Sequence, residues 1–163
     1  MTTKHISTTI LLFMFYVVIY GQKLTKTDSV KLLSTWEKTS KYILSKDTLK
    51  LKALCLDTIE CTLCGYRNDT IVDYIKPVNY FLTNGLIKLN DISKLWTIIS
   101  SNKPNIIVSG YIDKQGRGER VYGIAYTLYK PNELGKKHEG VQVIFDYVIR
   151  QKKFKLTGIS TVP

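Results

Sequence analysis

The sequence predicts an α+β domain in which N-terminal helices pack on one face of a C-terminal, four-stranded, curled antiparallel meander. Three observations predict it. Apolar residues recur at helical spacing through the N-terminal half. From Pro104 the period switches to two, the spacing of a half-buried strand. The later segments are separated by short polar breaks, DKQGRG, KPNELGKKHE and RQKK, so consecutive strands fold back on one another. Helices first and sheet second is the order of an α+β layer architecture.

The elements follow in chain order. A first helix spans Thr27 to Ser45, with Val30, Leu33, Trp36, Ser40, Ile43 and Leu44 on one stripe. Thr27 is placed to cap it, and Asp28 suits the positive end of the helix dipole. Asp47 caps a second helix, Thr48 to Leu54. Ile59 to Leu63 reads as a short strand and Asn68-Asp69 as a turn. Pro77 opens a third helix with Val78, Phe81 and Leu82 inward and Gly85 beyond its end. Asn90 caps a fourth, Asp91 to Ser100, burying Ile92, Leu95, Trp96 and Ile99. The strands are Asn105–Ile112, Glu119–Tyr129, Gly140–Ile149 and Phe154–Thr161.

The chain opens MTTKHISTTILLFMFYVVIYGQ, a short basic start, an apolar run and a small residue. That is the pattern of a secretory signal peptide, cut after Gly21. The apolar run Ile10 to Tyr20 holds 11 residues, whereas a membrane span needs about 20. The expected organisation is a signal peptide over 1–21 and one domain over 22–163, exported to the periplasm or secreted, with no span after cleavage. Loss of Lys4 leaves 23 basic against 13 acidic side chains, a net charge of +10. Such a balance favours acidic partners and says nothing about fold.

Helices followed by a long antiparallel sheet resemble the cystatin-like and NTF2-like cone. The stretches LDTIECTLC, FLTNGLIKL and VIFDYVIRQKKFKLTGIST resemble the small secreted domains common in Bacteroidetes-type bacteria, most without an assigned function. The resemblance implies either a ligand- or protein-binding domain or a small enzyme. An isomerase-type site in the NTF2-like superfamily needs a buried Asp base and a Tyr acid, and Asp146 and Tyr126 are the candidates. Asp146 alternates with Val143, Phe145 and Tyr147, so it points away from their apolar face. The protease-inhibiting hairpin of cystatins carries Gln-x-Val-x-Gly, and QVIFD from Gln142 does not match it.

All three cysteines lie in CLDTIECTLC. Structural zinc takes four Cys or His ligands, and after cleavage the remaining histidine is His138, far along the chain. A redox CxxC opens a helix, whereas CTLC runs into Gly65 and Asn68-Asp69. In an oxidising compartment the expected role is a structural disulfide. Cys61–Cys64 is the first choice, because a tight turn brings i and i+3 together. Cys55 is the alternative partner or the free thiol. GRGER, from Gly116, lacks the Lys-Ser/Thr ending of a phosphate loop and lies between strands. Trp36 and Trp96 fall on helix stripes and belong to the core.

One constellation emerges from the meander. The first and third hairpins of an up-and-down sheet share an end. The first carries Lys114, Arg117 and Arg120, and the third carries Arg150, Lys152 and Lys153. Together they form a basic rim suited to an anionic surface, or they keep hairpin ends soluble. No residue pattern requires a cofactor or metal, and the aromatics are not interleaved with the rim as nucleic-acid binding would need. The sequence therefore leads to an exported, non-catalytic domain that binds a small ligand or an envelope or extracellular protein. The alternatives are a small NTF2-like enzyme with its pocket between helices and sheet, and attachment to anionic surfaces through the rim.

Overall fold

The computed structural model describes residues 24–62, 66–67, 70–71, 74–112 and 118–162. The expected signal segment and its cut after Gly21, Leu63, the Asn68-Asp69 turn and most of the DKQGRG break lie outside them.

Helix α1 (Lys26–Leu44) begins earlier than its letters suggest. Its N-cap is Thr25, not Thr27: the Thr25 hydroxyl accepts the Asp28 backbone N–H at 3.1 Å and donates to the Asp28 carboxylate. The buried stripe is Leu32, Trp36, Thr39 and Ile43. It differs from the expected one, for Val30 is 61% and Leu44 56% exposed. The true stripe contains a threonine, which hides it from an apolar pattern. Thr39 can be buried because its hydroxyl donates to the Thr35 carbonyl at 2.9 Å.

Helix α2 (Thr48–Leu54) matches its expected bounds, and the Asp47 side chain caps it by accepting the Lys50 N–H at 3.2 Å. The chain then enters β1 (Cys55–Cys61) directly. A small antiparallel pair follows, β2 (Tyr66–Arg67) and β3 (Thr70–Ile71), then β4 (Ile75–Pro77). Helix α3 (Val78–Tyr80), a π-helical stretch (Phe81–Gly85) and α4 (Leu86–Asn90) run on without a break. Gly85, expected to end the helix, is buried inside it. Burial of Leu86 and Leu89 beyond it outweighs the glycine's local stop signal. Helix α5 (Ser93–Ser101) has Ile92 at its N-cap with no side-chain cap, so the cap expected from Asn90 does not form there.

The meander is present: β5 (Asn105–Ile112), β6 (Gly118–Tyr129), β7 (Val141–Arg150) and β8 (Lys153–Val162) pair antiparallel in sequence. Among the described residues the sheet has six strands, in the order β4-β1-β8-β7-β6-β5, not four. Strand β1 adds to β8 in parallel and β4 adds to β1 antiparallel, which makes the sheet mixed. The pairing of β1 with β8 shifts register between Cys55 and Glu60. The strand expected over Ile59 to Leu63 overlaps the end of β1, which starts four residues earlier, where the irregular register breaks the period-two signal. Gly140 ends the β6–β7 loop at φ +100°, with a would-be Cβ 2.6 Å from the Tyr129 carbonyl oxygen. Only glycine fits there.

The helices cover one sheet face. Trp36 sits 4.4 Å, centroid to centroid, from Phe145 of β7, and its Nε1 donates to the Tyr126 hydroxyl of β6 at 3.0 Å. Phe81 and Phe145 are fully buried, and Trp96 packs against the same cluster. Trp96 Nε1 donates to the Leu89 carbonyl at 3.1 Å, which anchors α5 on α4. Aromatic side chains therefore fill the space between helices and sheet.

Candidate functional site

Among the described residues, a cleft of about 590 Å³ lies between α1, the end of α2 and the β7–β8 hairpin. Helix geometry builds its first wall. Val30, Lys31, Ser34, Thr35 and Lys38 recur at the spacing that keeps them on one side of α1, away from the buried stripe. Ala53 and Leu54 form the end wall, and Lys152, Lys153, Phe154 and Lys155 the opposite one. Five of the lining side chains are lysines and none is a carboxylate.

The lysines have different duties. Lys155 donates to the Ala53 carbonyl and so satisfies the end of α2. Lys31 stands 3.9 Å from Asp28 in an exposed pair, which contributes little. Lys38, Lys152 and Lys153 are exposed and make no ion pair with a described residue. The hairpin that presents Lys152 is strained. Gln151 and Lys152 have φ of 50° and 63°, between paired Arg150 and Lys153. That is a two-residue turn of the type that favours Asn-Gly, yet here it holds Gln-Lys.

The expected rim is divided by the structure. Its two hairpins do share an end, for Glu119 and Arg150 form a two-pronged ion pair across the ladder, one arm at 2.8 Å. That pair neutralises Arg150, which therefore does not act as a free cation of the rim. Lys114 and Arg117 lie outside the described residues, and Arg120 pairs in register with Gly110 near the hairpin end of the β5–β6 ladder. Lys152 and Lys153 turn instead toward α1. Lys31, Lys38 and Lys155 were not among the expected site residues. The spacing of Lys31 and Lys38 on a polar helix face was visible in the sequence, but not their meeting with β8.

Tyr126 and Asp146 do not share a pocket. Tyr126 pairs with Val143 and Gly123 with Asp146, and the odd separation along β6 puts them on opposite faces. Tyr126 belongs to the helix side, where burial raises its pKa and the bond from Trp36 opposes the rise. Asp146 lies on the other face, half-buried between two glycines of neighbouring strands, Gly123 and Gly158. A Cβ on Gly123 would come within 2.8 Å of Ile144, and one on Gly158 within 3.2 Å of the Glu60 carbonyl oxygen. Burial lifts the Asp146 carboxyl to about 6, a bond donated by the Ser160 hydroxyl at 3.3 Å works against this, and Glu60 adds to it.

Cys55 is a buried free thiol, pushed up to about 12 by burial. Cys61 ends β1 in the core, and Cys64 lies outside the described residues. His138 accepts the Gly140 N–H at its Nδ1, 2.9 Å away, and serves the loop. A second hollow, about 650 Å³ beside α5, is lined by Lys94, Lys130 and Glu133, of which Lys94 and Glu133 form an ion pair. No three metal-ligating side chains converge among the described residues. No helix among them is long and apolar enough to cross a membrane.

No protein-family model matches the chain, and no curated protein matches it. Among solved structures, the chain is similar to a putative calcium/calmodulin dependent protein kinase II association domain from Xanthomonas campestris. Identity is 12%, the TM-score is 0.36, and the match covers 87% of this chain and 94% of the other. A likeness of that size carries no argument about function.

Proposed function

We propose that this protein is an exported, non-catalytic binding module whose lysine-lined cleft takes an anionic ligand. One observation carries the reading: five lysines line a single cleft with no carboxylate among them, on a chain of net charge +11. Like charges held together with no counter-charge beyond Asp28, 3.9 Å from Lys31, repel one another, and a bound anion relieves that repulsion. Lysines present compact point charges on flexible stems, which can gather around a phosphate or sulfate group. Export rests on the charged, apolar, small-residue order of residues 1–21. The cystatin-like or NTF2-like layout is supported by helices on one face of a long meander. A Cys61–Cys64 bond is supported by Cys55 being the free thiol.

Titration calorimetry with inorganic pyrophosphate and with dextran sulfate, at low and moderate salt, tests the reading. Binding should weaken steeply with salt. It should fall at least tenfold in a Lys38→Ala, Lys152→Ala, Lys153→Ala variant. Absence of binding, or an unchanged affinity in that variant, overturns it.

A further inference from the structure

We infer that the anion which the cleft takes is the headgroup layer of an anionic lipid bilayer, on which the protein docks with α1, α2 and the β7–β8 hairpin facing the membrane. The inference rests on the anion-binding reading above and adds the source of the anion.

The observation beyond charge is apolar exposure at the cleft's edges. Val30 lines the mouth and is 61% exposed. Leu49 is 83% exposed, the most exposed of the large apolar side chains described. Leu49, Lys52 and Ala53 share one face of α2 by their three- and four-residue spacing, and Ala53 lines the cleft. The cleft walls also carry apolar Leu54 and Phe154. Thus an apolar residue stands on each helix beside the lysines. A soluble polyanion gains nothing from Val30 and Leu49. A bilayer interface uses both kinds of group: lysine ammonium groups lie among headgroup phosphates while apolar side chains enter the acyl boundary.

Charge and geometry fit a surface. Each lysine held near an anionic leaflet strengthens binding about fivefold. Lys31 and Lys38, two turns apart on α1, span about 10 Å, on the order of the spacing between neighbouring headgroups. The β7–β8 turn places Lys152 at the opposite lip at the expense of two left-handed, non-glycine residues. No lone phosphate needs cations spread this widely. The docking is peripheral, because the described helices include none that could span a membrane.

Co-sedimentation with vesicles of phosphatidylglycerol and phosphatidylcholine, against phosphatidylcholine alone, tests the inference, with pyrophosphate titration run in parallel. Wild-type protein should sediment with the anionic vesicles only. Leu49 is surface-exposed and lies outside the cleft lining, so Leu49→Ser should fold normally and leave the cleft intact. That variant should bind anionic vesicles at least fivefold more weakly while keeping pyrophosphate affinity. Unchanged vesicle binding by this variant overturns docking through the apolar edge. Pyrophosphate binding without any vesicle binding overturns the bilayer and leaves the anion-binding reading standing. Binding of neither probe removes both.

Discussion

Trp36 Nε1 donates to the Tyr126 hydroxyl at 3.0 Å, a buried bond between residues 90 positions apart. It joins the middle of α1 to the middle of β6 and fixes how the helix lies on the sheet. Both rings also stack into the core, 5.8 Å apart and tilted. Tyr147, fully buried on the neighbouring strand, is the opposite case: its hydroxyl makes no hydrogen bond. The nearby Thr39 hydroxyl donates to the Thr35 carbonyl and stands beside the Tyr147 hydroxyl without meeting it in hydrogen-bond geometry.

The two tyrosines should therefore respond differently to loss of the hydroxyl. Tyr126→Phe strands the Trp36 N–H in the core and should lower stability by about 1–3 kcal/mol. Tyr147→Phe removes a buried hydroxyl that lacks a partner and should be neutral or stabilising. Urea unfolding at pH 7 reads both. Equal destabilisation by the two changes would refute the contrast.

The meander and α2 were legible because each is encoded locally. Asp47 stands directly before Thr48, and strict alternation in VQVIFDY marks β7. Of the remaining two strands, β1 was legible only from Ile59 onward and β4 was hidden, for different reasons. Strand β1 lies parallel to β8, about a hundred residues away, and its register breaks between Cys55 and Glu60. Strand β4 is three residues long and ends in Pro77. The cleft was half legible: Lys152 and Lys153 read as basic, but nothing local joins them to Lys31 and Lys38 of α1. The outer-face position of Asp146 followed from alternation, whereas the glycines beside it come from two other strands.

Asp146 should make stability fall as pH rises. Its carboxyl is lifted from the usual value near 4 to about 6 in the folded chain. Below the unfolded value both states are protonated and the group contributes nothing. Between about 4 and 6 the unfolded chain loses the proton first, so folding is progressively disfavoured. Above 6 the full penalty stands, at most about 3 kcal/mol for a shift of this size. Asp146→Asn keeps the shape and removes the charge. It should stabilise the protein at pH 7.5 and have little effect at pH 3.5. Denaturant midpoints at the two pH values decide the matter, and a gain of equal size at both would rule out this account.

The cysteines give a count that can be wrong in either direction. Cys55 is buried with its pKa pushed up to about 12, so it should not react with a thiol reagent at pH 8 in the folded protein. If Cys61 and Cys64 are bonded, denaturation without reductant should expose one thiol and no more. Three thiols on denaturation would remove the disulfide. One reactive thiol in the native protein would contradict the burial of Cys55.

The β7–β8 turn sets stability against binding. Gln151 and Lys152 both occupy left-handed backbone, which costs a non-glycine residue about 1 kcal/mol or more. Lys152→Gly relieves that cost and suits a two-residue hairpin turn. It also deletes one of the cleft's cations. The variant should raise the unfolding free energy by about 1 kcal/mol, and bind pyrophosphate and anionic vesicles more weakly than wild type. Calorimetric melting and the vesicle assay, run on one preparation, test both halves. Stabilisation with unchanged binding would show that Lys152 is a hairpin residue only. Destabilisation would show that its side chain supports the turn in some way that the backbone strain does not reveal. The predicted combination, a firmer hairpin and a weaker site, is what a lysine kept at a strained position for its charge requires.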